Sequence, residues 1–231
     1  MSQILNPNSL DAYDYELPQG LIANFPTLPK EDARLLVYER ASGKISHLKF
    51  GDLPEILPPC DIIFNDTKVV KARIFGKKQS GGETELLLNS PLADGKFSVY
   101  IKGKVHAGSV LNFGENLTAE VCELFGDGSR TVKFSQNGEL LDAAALYRVL
   151  SHIGHVPLPP YIKRSDTEDD ESWYQSVFAK NEGAVAAPTA SLHFSDEMID
   201  KLAKNREIAY LTLHVGAGTF KGVESEDITQ H

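Results

Sequence analysis

Residues 69–134 read VVKARIFGKKQSGGETELLLNSPLADGKFSVYIKGKVHAGSVLNFGENLTAEVCELFGDGSRTVKF. Short apolar runs are cut at regular intervals by turn residues, and nowhere does an apolar period of 3.6 residues persist. Gly81-Gly82 separates residues 69–75 from 84–88, Asp94-Gly95 precedes 97–101, Ala107-Gly108 precedes 110–113, and Gly126-Asp127-Gly128 divides 119–125 from 131–134. About six strands result. Strands this short expose unpaired edges unless the sheet closes on itself, so the segment predicts a small antiparallel β-barrel.

On both sides of it the pattern changes. Upstream, Arg34-Leu35-Leu36-Val37-Tyr38 is a short strand-like run, and Pro58-Pro59 breaks the chain before Asp61-Ile62-Ile63-Phe64, which reads as a buried strand. Downstream, Leu140, Leu141, Ala144, Leu146, Tyr147, Leu150 and Ile153 share one helical face, which Gly154 ends. The three prolines of His155-Val156-Pro157-Leu158-Pro159-Pro160-Tyr161 forbid a helix there. Acidic residues 166–171 open a second helix ahead of Trp173, Val177 and Phe178, and Ser195 is the N-cap of a third carrying Met198, Ile199 and Leu202. A β-rich run from Ile208 to His214 closes the pattern. The expected fold is α/β, a mixed-sheet domain over residues 1–67 and 139–231 with the barrel inserted at 68–138.

Composition narrows the function. Hydrophobic residues at 42% and charged residues at 24% exclude a disordered chain, while 23 Lys+Arg against 32 Asp+Glu leave a net charge of −9 and exclude a general nucleic-acid coat protein. A local basic patch stays open. No run approaches the roughly 20 apolar residues that span a bilayer, and no leader opens the chain, so a cytoplasmic protein without a membrane partner is expected. Cys60 and Cys122 lie far apart without CxxC or His spacing, which indicates neither a disulfide framework nor a metal site.

Four polar clusters sit at strand ends or in Gly/Pro-rich turns, where side chains converge on ligands. Asn65-Asp66-Thr67-Lys68 offers a carboxylate, a hydroxyl and an ammonium, or simply an Asx turn with a solvated lysine. The 155–162 segment is either a rigid wall for stacking a base or a spacer. Residues 183–194 combine small side chains, Pro188, Thr189, Ser191, His193 and Phe194 just before a helix N-terminus, suited to an anion or to an ordinary tight turn. Thr212-Leu213-His214-Val215-Gly216-Ala217-Gly218-Thr219-Phe220 carries a histidine before half a dinucleotide fingerprint, with Lys221 where the third glycine would stand.

Taken together these segments resemble the S-adenosylmethionine:tRNA ribosyltransferase-isomerase family of queuosine biosynthesis. The likeness runs nearly end to end, through Tyr13-Asp14-Tyr15-Glu16-Leu17-Pro18, Asn65-Asp66-Thr67-Lys68-Val69, Gly154-His155-Val156-Pro157-Leu158-Pro159-Pro160-Tyr161-Ile162, Tyr174-Gln175, Ala186-Ala187-Pro188-Thr189-Ala190 and Thr212-Leu213-His214-Val215-Gly216-Ala217-Gly218. The chain departs from the family pattern at Lys30, where arginine is usual, at Ser191, where glycine is usual, and at Lys71, where proline is usual. Of a His-x-Met-His-x-Glu-like segment the chain holds only His231, which implies a chain shortened at its C-terminus and an incomplete α/β domain.

The resemblance implies transfer and isomerisation of the ribosyl moiety of S-adenosylmethionine onto 7-aminomethyl-7-deazaguanine in the tRNA anticodon, giving epoxyqueuosine and releasing adenine and methionine. It further implies a monomer using no metal. The alternative is a catalytically incomplete fragment that binds tRNA. Such chemistry needs a base beside the sulfonium and an acid for adenine. Histidine titrates nearest neutrality, which makes His193 and His214 the first candidates, with Asp66 as the rival base. Pro188, Thr189, Ser191, Phe194, Gly216, Gly218 and Thr219 would hold S-adenosylmethionine. Lys68, Lys71, Arg73 and Tyr161 would meet tRNA, with Lys71 and Arg73 alternating on one strand face, or else form a solvated face.

Overall fold

The computed structural model describes residues 6–220 and 222–230; Lys221 and His231 lie outside the described residues. The chain opens with irregular structure and an antiparallel hairpin of β1 (Arg34–Glu39) and β2 (Lys44–Lys49). After a single-turn α1 (Leu53–Ile56) come β3 (Ile62–Asn65) and β4 (Thr67–Val69), parted by Asp66 alone. Seven strands follow: β5 (Arg73–Lys78), β6 (Glu83–Pro91), β7 (Phe97–Lys102), β8 (Val110–Asn112), β9 (Leu117–Leu124), β10 (Ser129–Gln136) and the two-residue β11 (Glu139–Leu140).

These strands close into a barrel. Hydrogen bonding runs β5-β6-β7-β10-β9-β8 and returns to β5, with every pair antiparallel, while β11 extends β10 outside the ring. Period-two alternation dictates the interior: Leu86 and Leu88 of β6, Phe97 and Val99 of β7, Leu117, Ala119 and Val121 of β9, and Val132 and Phe134 of β10 are buried. Closure at six strands agrees with the sequence pattern, and each strand now has two partners, which leaves no edge within the ring.

The helix read over 140–153 forms as α2 (Ala143–Ile153), with the Asp142 carboxylate accepting the N–H of Ala145 as its cap. Its Leu146, Val149 and Leu150 join the barrel core. Gly154 then passes so close to the barrel that a Cβ would stand 2.3 Å from the Lys71 carbonyl oxygen. That approach lets His155 pair with Arg73, its N–H donating to the Arg73 carbonyl at 2.8 Å.

The α/β part is built from two parallel pairs. β12 (Asn181–Ala184) pairs with β4, and β13 (Ile208–Leu211) pairs with β3. Before β12, α3 (Asp170–Trp173) is one turn where a longer helix is expected, and between β12 and β13 α4 (Asp196–Ala203) starts at its Ser195 cap. Met198 and Leu202 of α4 pack with Phe50, Phe64 and Phe194 in a second core. A third core joins Val69, Val156, Leu158 and Tyr174. On the outer edge of β4 the Gln175 amide takes the place of a strand, accepting from the Val69 N–H at 3.0 Å and donating to the Val69 carbonyl at 2.7 Å. No helix among the described residues is long and apolar enough to cross a membrane.

Phe134 is fully buried and meets Phe97 edge-on at 5.4 Å. Phe134→Ala is expected to destabilise the barrel by about 3–5 kcal/mol, read as a lower urea midpoint with an unchanged slope.

Candidate functional site

Three consecutive side chains at the β3–β4 junction hold three consecutive residues that follow β13. Asn65 accepts the N–H of Leu213 at 3.0 Å and donates its amide to the Leu213 carbonyl at 2.8 Å. The Asp66 carboxylate accepts from the Thr212 hydroxyl at 2.6 Å and from the Asn181 amide at 3.1 Å. The Thr67 hydroxyl lies 2.7 Å from Nδ1 of His214. The main chain fastens the same point, since the Asp66 N–H donates to Leu211 and its carbonyl accepts from Lys180 and Asn181. Asp66 therefore sits where both parallel pairs meet, and Asn65 and residues 212–214 sit at the carboxyl ends of β3 and β13, the end at which α/β sheets bind ligands.

Electrostatics differ between the members. The Thr212 hydroxyl holds the Asp66 carboxyl below the usual carboxylate range, helped by Asn181 and the charge of Lys180 and opposed by burial. Asp66 is thus ionised at neutral pH and a weak base. His214 is exposed on one side while Thr67 beneath it is fully buried. Its ring lies against the backbone of Gly183, where a Cβ would come within 2.7 Å of both Cε1 and Nε2 at φ +150°. Glycine there is a requirement of close approach.

His193 belongs to a separate locus. Its ring is half-buried and packs 5.3 Å from Phe50, and burial first, then the charge of Lys30, pushes its pKa down. With Lys30 and Thr189 it lines a cavity of about 300 Å³ walled by Phe25, Tyr161 and Trp173. Among the described residues no hydrogen bond joins His193 to His214; Asp66 and His214 share one network, and His193 lines the neighbouring cavity of its own segment. Pro188 precedes a single 3₁₀ turn, Thr189–Ser191, in which Ser191 is buried. Phe194 is a core residue, edge-on to Phe50 and Phe64 at 5.0 and 5.1 Å.

The Gly216–Thr219 loop leads into a 3₁₀ turn and docks on the barrel, where Asn89 Oδ1 accepts the Ala217 N–H at 2.8 Å. Gly218 and Thr219 are exposed.

The cations do not form one face. β4 ends at Val69 and β5 starts at Arg73, so Lys71 falls between strands and pairs with Glu171 of α3. Lys68 pairs with Glu182 at 3.0 Å and Arg73 with Glu85 at 3.2 Å. Each of the three thus has a carboxylate partner, and Tyr161 is exposed elsewhere. Among the described residues no group of three His, Cys, Asp or Glu side chains gathers as a metal site.

A family model described as a queuosine biosynthesis protein matches residues 10–231. The chain belongs to that family. A protein of Campylobacter fetus named S-adenosylmethionine:tRNA ribosyltransferase-isomerase is 64% identical over 223 residues, covering 96% of this chain and 66% of its own length. One of the same name from Sulfurimonas denitrificans is 52% identical, covering 95% of this chain and 65% of its own length. The chain thus spans just under two thirds of the relatives it matches. A solved S-adenosylmethionine tRNA ribosyltransferase of Thermotoga maritima is 29% identical over 88% of this chain and 58% of its own, with a TM-score of 0.34.

Two groups in this queuosine-family chain escape a reading by residue type. Asp166, taken from sequence as a helix-opening acid, instead holds His155, with Oδ1 3.0 Å from Nδ1 and Oδ2 accepting the Val156 N–H at 2.9 Å. Asp170, almost wholly buried, takes both terminal nitrogens of Arg164 at 2.6 and 2.7 Å. Arg164 also reaches the Asn24 carbonyl and covers the Phe25 ring at 4.6 Å, which ties residues 24–25 to the cavity wall. Only spatial proximity reveals either pair.

Gly183→Ala is expected to push the His214 ring off its seat, moving the His214 imidazole resonances in an NMR spectrum while those of His193 stay in place. Arg164 chiefly, with Thr167, holds the Asp170 carboxyl below its usual range against the effect of burial. A carboxyl lowered on folding stabilises above its unfolded value near 3.9 and loses that stabilisation as pH falls through the folded value. Asp170→Asn is therefore expected to cost about 3–5 kcal/mol at pH 7, with the gap to the parent narrowing below about pH 4.

Proposed function

We propose that the chain serves S-adenosylmethionine-dependent ribosyl transfer and isomerisation onto 7-aminomethyl-7-deazaguanine in the tRNA anticodon, releasing adenine and methionine. The observation that carries this reading is the Asp66–Thr212 and Thr67–His214 network at the carboxyl ends of β3 and β13, in a chain of the queuosine family. Its relatives are named for ribosyl transfer and isomerisation between S-adenosylmethionine and tRNA.

The reaction begins with loss of an acidic C5′ proton beside the sulfonium, so it needs a base with a free lone pair next to a cation, and an uncharged amine as nucleophile. With Nδ1–H donated to the Thr67 hydroxyl, Nε2 of His214 is left as that base. Asp66, kept ionised by Thr212, supplies the negative charge that favours a sulfonium nearby. Gly216, Gly218 and Thr219 extend from the same segment toward the barrel and are suited to the methionine end. Pro188, Thr189, Ser191 and Phe194 shape the second locus, where His193, its pKa lowered by burial, is the candidate to donate a hydrogen bond to departing adenine. On the RNA side Lys68, Lys71 and Arg73 would exchange their carboxylates for phosphates. The catalytic part then comprises 1–67 and 139–231, with the barrel 68–138 as an inserted module.

A second reading, tRNA binding without catalysis, draws support from the share of the relatives' length that the chain spans. Incubation with S-adenosylmethionine and tRNA bearing the aminomethyl base separates the two. Adenine release is the expected outcome, and a mobility shift with no adenine would favour the second. In the first case His214→Ala is expected to slow adenine release by about 100-fold or more while S-adenosylmethionine binding changes little; equal losses in both would reduce His214 to a structural role.

A further inference from the structure

The cavity lined by His193 has walls that specify a ligand more closely than its neighbours' names do. Its volume of about 300 Å³ accommodates a bicyclic heterocycle with part of a sugar. Phe25 and Trp173 meet edge to face at 6.2 Å on one side, and exposed Tyr161 stands at the mouth. Such surfaces favour a flat ring that can stack on them. The polar complement is His193, Thr189, Thr27, Asn24 and Lys30, beside the Arg164–Asp170 ion pair.

Charge selects the ring. Arg164 is neutralised by Asp170, whereas Lys30 has no carboxylate partner among the described residues. The ammonium disfavours a cationic group beside it, the sulfonium end of S-adenosylmethionine and the protonated aminomethyl base among them. A neutral purine meets no such penalty. Burial keeps His193 uncharged at neutral pH, so it presents one donor and one acceptor, the pattern of a purine edge.

We propose that this cavity binds the adenine ring of S-adenosylmethionine, stacked against Tyr161 and the Phe25–Trp173 wall with His193 hydrogen-bonded to its edge. The inference rests on the ribosyl-transfer reading above and adds to it the seat of the leaving group.

Trp173 is the sole tryptophan of the chain, so its fluorescence reports on this cavity alone. The test titrates the whole chain with adenine and with S-adenosylmethionine while following that emission, alongside equilibrium dialysis with labelled S-adenosylmethionine. Both ligands are expected to change the emission saturably, and adenine to displace the label. His193→Ala and the surface variant Tyr161→Ala are each expected to weaken adenine about tenfold, and Trp173→Phe to abolish the signal while label is still retained. Retention of S-adenosylmethionine with silent Trp173 emission and no effect of Tyr161→Ala overturns the inference and leaves the ribosyl-transfer reading standing. Preference for free 7-aminomethyl-7-deazaguanine over adenine also overturns it. Failure to retain S-adenosylmethionine overturns both.

Discussion

The arrangement depends on one contact, the grip of Asn65, Asp66 and Thr67 on Thr212, Leu213 and His214. These triplets lie far apart in sequence, with Thr67 and His214 separated by 147 positions. Closing so long a loop costs conformational entropy, although the cost grows only slowly with length. The barrel reduces it further, because residues 73–136 of the intervening chain close on themselves and bring their own ends together. The return path is short, since His155 pairs directly with Arg73 at the barrel's first strand.

Barrel and α/β part are therefore coupled without sharing one core. Val185 and Ala217 enter the barrel cluster from the α/β side, and α2 lies on it from the other. Ala217 is a neighbour of His214 in sequence, so barrel packing bears on the position of the segment that carries the imidazole. The second locus has its own anchor in the Arg164–Asp170 pair, which binds residues 24–25 and so depends on contacts the barrel does not make.

The barrel was legible in sequence because alternation with period two and regular turns leave few other solutions, and α2 and α4 because their stripes and caps are local. β2 and β12 escaped, β12 because Asn181-Glu182-Gly183-Ala184 has no strand composition and is held by its partner β4. At the site, residue types singled out Asp66 and His214, yet nothing local says that Thr67 and Gly183 would seat the imidazole. The same limit hid the separation of His193 and the ion pairs of Lys68, Lys71 and Arg73: Glu182, Glu171 and Glu85 come from other elements, and only the folded chain brings them in.

Gln175 has one more effect. By saturating the outward N–H and carbonyl of Val69, a single side chain does for β4 what a neighbouring strand would otherwise do. A two-stranded parallel ladder is a natural template for self-association, and here that flank is sealed by an amide too short to recruit anything further. Replacing Gln175 with an apolar residue would trade a quiet rim for an adhesive one.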